Sequence, residues 1–202
     1  MEFPFEFTRA KTSVSENLSE ISLDSEYIAC FGKSKSLSDL DKFSSLKFLW
    51  LSGVNEKQTR QISKLESVET LVVHDLRTTT LALLKCFPSL KTLMIWGNTK
   101  TTKLAELASL QKLEVLGLEH FPKIRAIDEF SMLKGLKMLC LTGSIDTALK
   151  IETLEPLAKL QELELELLHI TNLRVSDESL GFVKNLDMPH EGQNIGVRTE
   201  WH

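Results

Sequence analysis

Apolar residues recur along this chain in two alternating rhythms. One is a six-residue phrase of the form apolar, x, x, Leu, x, apolar. It reads Leu46–Lys47–Phe48–Leu49–Trp50–Leu51 and then Val68–Glu69–Thr70–Leu71–Val72–Val73. Further copies begin at Leu90, Leu113, Leu136 and Leu160, so six consecutive copies stand 22 to 24 residues apart. The phrase ends with apolar residues at alternate positions, the period of a short strand with one buried face. Upstream of it the apolar residues fall at every third position. Leu81, Leu84, Phe87 and Leu90 form one such series; Leu104, Leu107, Leu110 and Leu113 form the next. A period of three lines one edge of a 3₁₀ helix, whereas an α-helix would rotate away from that edge. Each unit is therefore predicted to be a strand, a sharp turn and a short 3₁₀ return. Units of this length cannot bury their own apolar faces. They must stack, which predicts a solenoid.

The punctuation agrees. Gly53, Gly97 and Gly143 each fall two residues after the last apolar residue of a strand, and Asp75 takes that place in its own repeat. Both residue types suit a tight turn. Two weaker copies flank the six. Ile28 and Cys30 fit the inward positions of an earlier strand, and Val183 to Met188 continues the spacing downstream. The predicted organisation is a single domain over residues 1–202, with an N-terminal cap over 1–27, about eight repeats over 28–188 and a C-terminal cap over 189–202. Phe3, Phe5 and Phe7 alternate like a cap strand at one end, as do Ile195, Val197 and Trp201 at the other.

These spacings and residue types resemble the leucine-rich repeat family over roughly residues 28 to 188. The likeness is nearest to its short 22-residue class, found in protein-phosphatase regulatory subunits and in the repeat regions of internalins. The resemblance implies an α/β fold: a right-handed solenoid with a concave parallel β-sheet and a convex side of short 3₁₀ segments and turns. In one respect the chain departs from the family, which carries Asn three residues after the last leucine of the strand. Only Asn98 matches; Val54, Leu76, Phe121, Ser144 and Leu168 hold the equivalent places. Apolar packing is expected there in place of an amide ladder.

A solenoid is mostly surface, so a binding platform is expected before any chemistry. Composition narrows the partner. A net charge of −4 argues against a nucleic-acid platform, which would be basic. No apolar stretch reaches the length of a membrane span. The first residues lack the basic and apolar regions of a secretory signal. Three cysteines, Cys30, Cys86 and Cys140, cannot all pair. Stacking would set Cys30 and Cys140 about 24 Å apart, beyond disulfide reach. Free thiols point to the cytoplasm.

If the leucines face inward, the residues between them form outward columns on the concave sheet. In the N-terminal half these columns hold Tyr27, Phe31, Phe48, Trp50, Val72, His74, Met94 and Trp96. Strands about 4.8 Å apart would join them into one apolar patch. A patch of that kind marks an interaction site. Either an external protein or peptide covers it, with Trp50 and Trp96 as leading anchors, or the chain's own termini or a second copy in a homodimer do so. In the C-terminal half the columns turn acidic, with Glu162, Glu164 and Glu166 on one strand, Glu119 two strands earlier and Asp187 beside Glu164. That cluster reads either as a dock for a basic segment or as a solvated face. A flat sheet gives no encircling loop for Ca²⁺, so no metal and no cofactor is assigned.

One regularity is structural. Lys47, Glu69, Lys91, Glu114 and Lys137 follow the first apolar residue of successive repeats with alternating sign, so neighbouring coils would pair opposite charges. Catalysis has little support. His74 and Cys140 would lie three strands apart, about 14 Å, and no phosphate-binding or metallohydrolase motif is present. His120 and His169 read as ordinary turn residues. The expectation is a non-enzymatic cytoplasmic module binding a protein or peptide, with no nucleic-acid or membrane partner. Two other readings stay open: a self-associating structural protein, and the recognition part of an effector whose catalytic domain is absent.

Overall fold

The computed structural model describes residues 13–15, 17–31, 36–162, 165–177 and 193–197. Its strands are β1 (Ser13–Val14), β2 (Tyr27–Phe31), β3 (Phe48–Ser52), β4 (Thr70–His74), β5 (Thr92–Trp96), β6 (Val115–Glu119) and β7 (Met138–Thr142). They are followed by β8 (Leu149–Ile151), β9 (Leu167–Val175) and β10 (Gln193–Val197). All but β8 lie side by side in chain order in one sheet, and β8 pairs with the far end of β9. Every pairing is parallel.

From β2 to β7 the register advances without a slip. Ile28, Leu49, Leu71, Leu93, Leu116 and Leu139 therefore form one inward row, and Cys30, Leu51, Val73, Ile95, Leu118 and Leu141 form a second. All twelve are buried. Each leucine in these rows contributes about 1.5–3 kcal/mol on an area basis. The rows face the apolar edges of the return segments, which are 3₁₀ helices at Ser38–Lys42, Ala82–Cys86, Ala105–Ser109 and Asp128–Met132. The residues that set the three-residue period also carry its hydrogen bonds. Leu107 N–H donates to Leu104 O at 2.8 Å, Leu110 to Leu107 at 2.9 Å and Leu113 to Leu110 at 3.1 Å. Burial and backbone pairing thus select the same conformation. The second repeat keeps the three-residue spacing at Ile62, Leu65 and Val68 but has the polar Thr59 at its head. It forms a single α-turn, α1 (Glu56–Thr59), capped reciprocally by Asn55 and Gln58.

The corners repeat as well. Gly53, Asp75, Gly97, His120 and Asn172 all have positive φ. Each of the first four donates its N–H to the last carbonyl of the next strand, as Gly53 does to His74 O at 2.8 Å and His120 to Thr142 O at 3.1 Å. That left-handed step carries the ladder round the bend, and it favours Gly, Asp, Asn and His over other residues. Val54, Leu76 and Phe121 are buried beneath the corners, whereas Ser144 Oγ accepts from Thr147 N and Asn98 keeps the full polar arrangement. Its Oδ1 accepts from Lys100 N and Thr101 N, while Nδ2 donates to Thr78 O. The alternating charges meet at three of the four steps: Glu69 takes Lys47 at 3.5 Å and Lys91 at 2.9 Å, and Glu114 takes Lys137 at 3.0 Å, while Lys91 turns to Glu69 and not to Glu114.

The C-terminal half departs from the expected register. Opposite Met138 the spacing predicts Glu162, but the residue found there is Leu167. The preceding 3₁₀ segment runs on through Glu155–Glu162, and the strand begins five residues late. The inward pair is Leu168 and Ile170, both buried. Glu162 ends the helical segment, Glu166 is exposed ahead of the strand, and Glu164 lies outside the described residues. The acidic strand face is thereby corrected. Its outward positions are instead Leu167, His169 and Thr171, so His169 is a sheet residue and not a turn residue. Phe3, Phe5, Phe7, the copy at 183–188 and Trp201 also fall outside the described residues; β10 includes Ile195 and Val197.

Candidate binding face on the hollow side of the sheet

On the outward face of β2 to β5 the aromatic residues do not stand as separate wet side chains. Phe48, Val72 and Met94 form a small second core, with Tyr27, Trp50 and Trp96 packed against it and partly buried. Val72 and Met94 are each 1% exposed. The reason is geometric. Trp50 on β3 and Trp96 on β5 flank β4, and two strand spacings would separate them by about 9.6 Å. Their rings lean inward until the centroids are 6.0 Å apart at 76°, edge to face. Val72 lies on β4, between these two strands, paired with Trp50 and Met94. Beside them, Tyr27 and Phe48 are paired in register and stack at 6.0 Å and 29°.

This corrects part of the expected contact surface. Phe48, Val72 and Met94 serve as a floor, leaving Tyr27, Trp50 and Trp96 as the partly open layer. Phe31, 39% exposed, and His74 stand at the strand ends. A hydrogen bond of 3.3 Å joins Ser52 Oγ and His74 Nδ1.

Met94 marks the edge of this cluster. The next strand carries Gly117, and a Cβ there would sit 2.2 Å from Met94 Cε and 2.4 Å from Sδ. The missing side chain is what lets the thioether lie flat over β6. Beyond it the hollow face opens into a cleft of about 570 Å³. It is lined by Gly117, Cys140 and His169 in one row across the sheet, by Trp96, Glu119, Thr142 and Thr171 in the next, and by Ser144 and Ile145 just past the end of β7. Ile145 stands at the rim, 99% exposed. Sequence reasoning missed the His169, Thr171 and Asn172 part of this cleft because it followed from the shifted register.

The cleft places Cys140 opposite His169 on adjacent strands, a pair that invites a test for nucleophilic chemistry. Burial pushes the Cys140 thiol up to about 11 and holds the His169 imidazole below its ordinary value. Both groups are therefore neutral at physiological pH, and no hydrogen bond joins them. His169 Nδ1 has no hydrogen-bond partner among the described residues. A nucleophilic cysteine needs the opposite arrangement, with the thiolate stabilised. Among the described residues no group of His, Cys, Asp and Glu is placed to hold a metal, and no helix is long and apolar enough to cross a membrane. The three thiols are free.

The same architecture occurs in solved structures. An internalin of Listeria monocytogenes matches over 82% of this chain with a TM-score of 0.56 and 19% identity. A leucine-rich-repeat protein of Leptospira interrogans matches over 93% with a TM-score of 0.61 and 17% identity. The fold is that of a leucine-rich-repeat solenoid. The chain spans 61% of the internalin structure and 50% of the Leptospira one. No protein-family model and no curated protein matches the sequence. At these identities the likeness concerns the coils themselves.

Proposed function

We propose that this solenoid is a non-enzymatic binding module that holds a protein or peptide along its hollow face. The observation that carries the reading is the Trp50–Trp96 pair, seated over its own small core and open on one side, at the edge of the cleft. Large aromatic side chains fixed by their neighbours lose little entropy on binding, and Trp and Tyr concentrate at the centres of protein interfaces. A continuous parallel sheet presents such anchors to an extended partner. The protonated Cys140 thiol argues against a catalytic use of the same cleft. Free thiols suit a reducing compartment, which supports a cytoplasmic setting.

The test is a selection of random peptides displayed against the full chain. Enriched peptides should lose about tenfold or more in affinity on Trp96→Ala, with far-UV circular dichroism unchanged. Equal binding to wild type and to this folded variant would contradict the reading. Sedimentation at low and high concentration separates the homodimer alternative. The self-covering of Phe48, Val72 and Met94 favours a monomer.

A further inference from the structure

Charge is unevenly placed around the cleft. Glu119 is its one carboxylate, and no Lys or Arg lines it among the described residues. Glu119 is exposed and makes no ion pair or hydrogen bond among the described residues, unlike Glu114 at the start of the same coil and Glu69 two coils earlier, which are held by lysines. His169 contributes no opposing charge, because burial keeps its imidazole neutral at physiological pH. The residue paired with Glu119 on the adjacent strand is Trp96, so the two backbones are about 4.8 Å apart. A carboxylate therefore stands next to an indole whose other neighbour, Trp50, fixes its tilt.

That pairing is the chemistry of cation recognition. An indole face attracts a guanidinium or ammonium through its quadrupole, and a carboxylate supplies the countercharge. The hydroxyls of Thr142 and Thr171 line the same cleft and can accept from the remaining N–H groups. A volume of about 570 Å³ is enough for one long side chain and the backbone either side of it.

We infer that the Trp96–Glu119 cleft is the specificity pocket of the hollow face and takes a basic side chain, preferentially arginine, from an extended segment of a partner protein. This inference rests on the proposed peptide-binding role of the same face. Arginine is favoured over lysine because its planar head can stack on the indole and present a fork of donors to Glu119 at once. The partner segment is thus basic, but the acid that reads it is Glu119 and not the glutamates at 162 to 166.

The experiment is a two-by-two cycle on the full chain. A peptide enriched in the display selection is measured by isothermal titration against wild type and Glu119→Gln, first as selected and then with its basic residue replaced by glutamine. Glu119 is exposed on a strand end, so Glu119→Gln is expected to fold as wild type does. The expected result is enriched sequences sharing an Arg or Lys, with an Arg→Gln loss of about tenfold on wild type that shrinks to about twofold or less on Glu119→Gln. Arg→Lys should lose less than Arg→Gln. Enriched sequences without a basic residue, or an Arg→Gln loss equal on both proteins, would overturn the pocket assignment while leaving peptide binding on the hollow face intact. Peptides indifferent to Trp96→Ala, or no enrichment at all, would overturn both.

Discussion

Trp50 and Trp96 reach across an intervening strand to meet edge to face at 6.0 Å. The contact turns three coils of the sheet into one unit on the side away from the leucine core. Edge-to-face pairs contribute about 0.5–1.5 kcal/mol beyond their area burial. A double-mutant cycle of Trp50→Phe and Trp96→Phe, followed by urea denaturation, should return a coupling energy in that range. A coupling near zero would mean that the rings are neighbours without mutual support.

Two glycines make contrasting demands. At Gly117 a Cβ meets only the flexible end of Met94, whereas at Gly143 it meets backbone: Asn172 O at 2.4 Å, Thr147 O at 2.6 Å and Leu149 N at 2.9 Å. A thioether can swing away, but a corner held between two coils cannot. Gly143→Ala is expected to cost about 2–3 kcal/mol and Gly117→Ala about 1 kcal/mol or less, read as shifts in the urea midpoint. Gly117→Ala should also alter tryptophan emission, because the displaced Met94 lies against the indole cluster.

The thiols should separate by reactivity. Burial pushes Cys30 up to about 12 and Cys140 up to about 11, from an ordinary 9.0. Cys86 is only partly buried, and its Sγ–H donates to Ile62 O at 3.2 Å. Iodoacetamide at pH 8 followed by mass spectrometry should modify Cys86 first and leave the other two intact in the folded chain. The same shifts fix the alkaline behaviour. A thiol held neutral in the fold adds stability that is complete below pH 9 and is lost as pH rises towards 11 to 12, because the unfolded chain ionises first. Cys30→Ala with Cys140→Ala should flatten that alkaline decline.

The solenoid was legible because its two periods are enforced by burial at every turn. Leu49, Leu51 and their equivalents cannot move by one residue without exposing a whole row. The slip at β9 had a readable sign. The six-residue phrase occurs twice there, as Leu160 to Leu165 and as Leu165 to Ile170. Only the second copy puts Asn172 at the corner position held by Gly53, Asp75, Gly97 and His120; the first would place Leu167 there, a residue ill suited to positive φ. The corner residue, more than the leucines, sets the register. The covering of Val72 and Met94 was harder to foresee, since it depends on side chains leaning across strands and on the space above Gly117, which no period encodes.

The hollow face itself is best tested by its own fluorescence. In a Trp201→Phe variant only Trp50 and Trp96 emit. Titration with a selected partner peptide should shift that emission to the blue and reduce quenching by acrylamide, both saturating at the stoichiometry found by calorimetry. Emission and quenching that stay unchanged at saturation would place the partner elsewhere and contradict the assignment of this face.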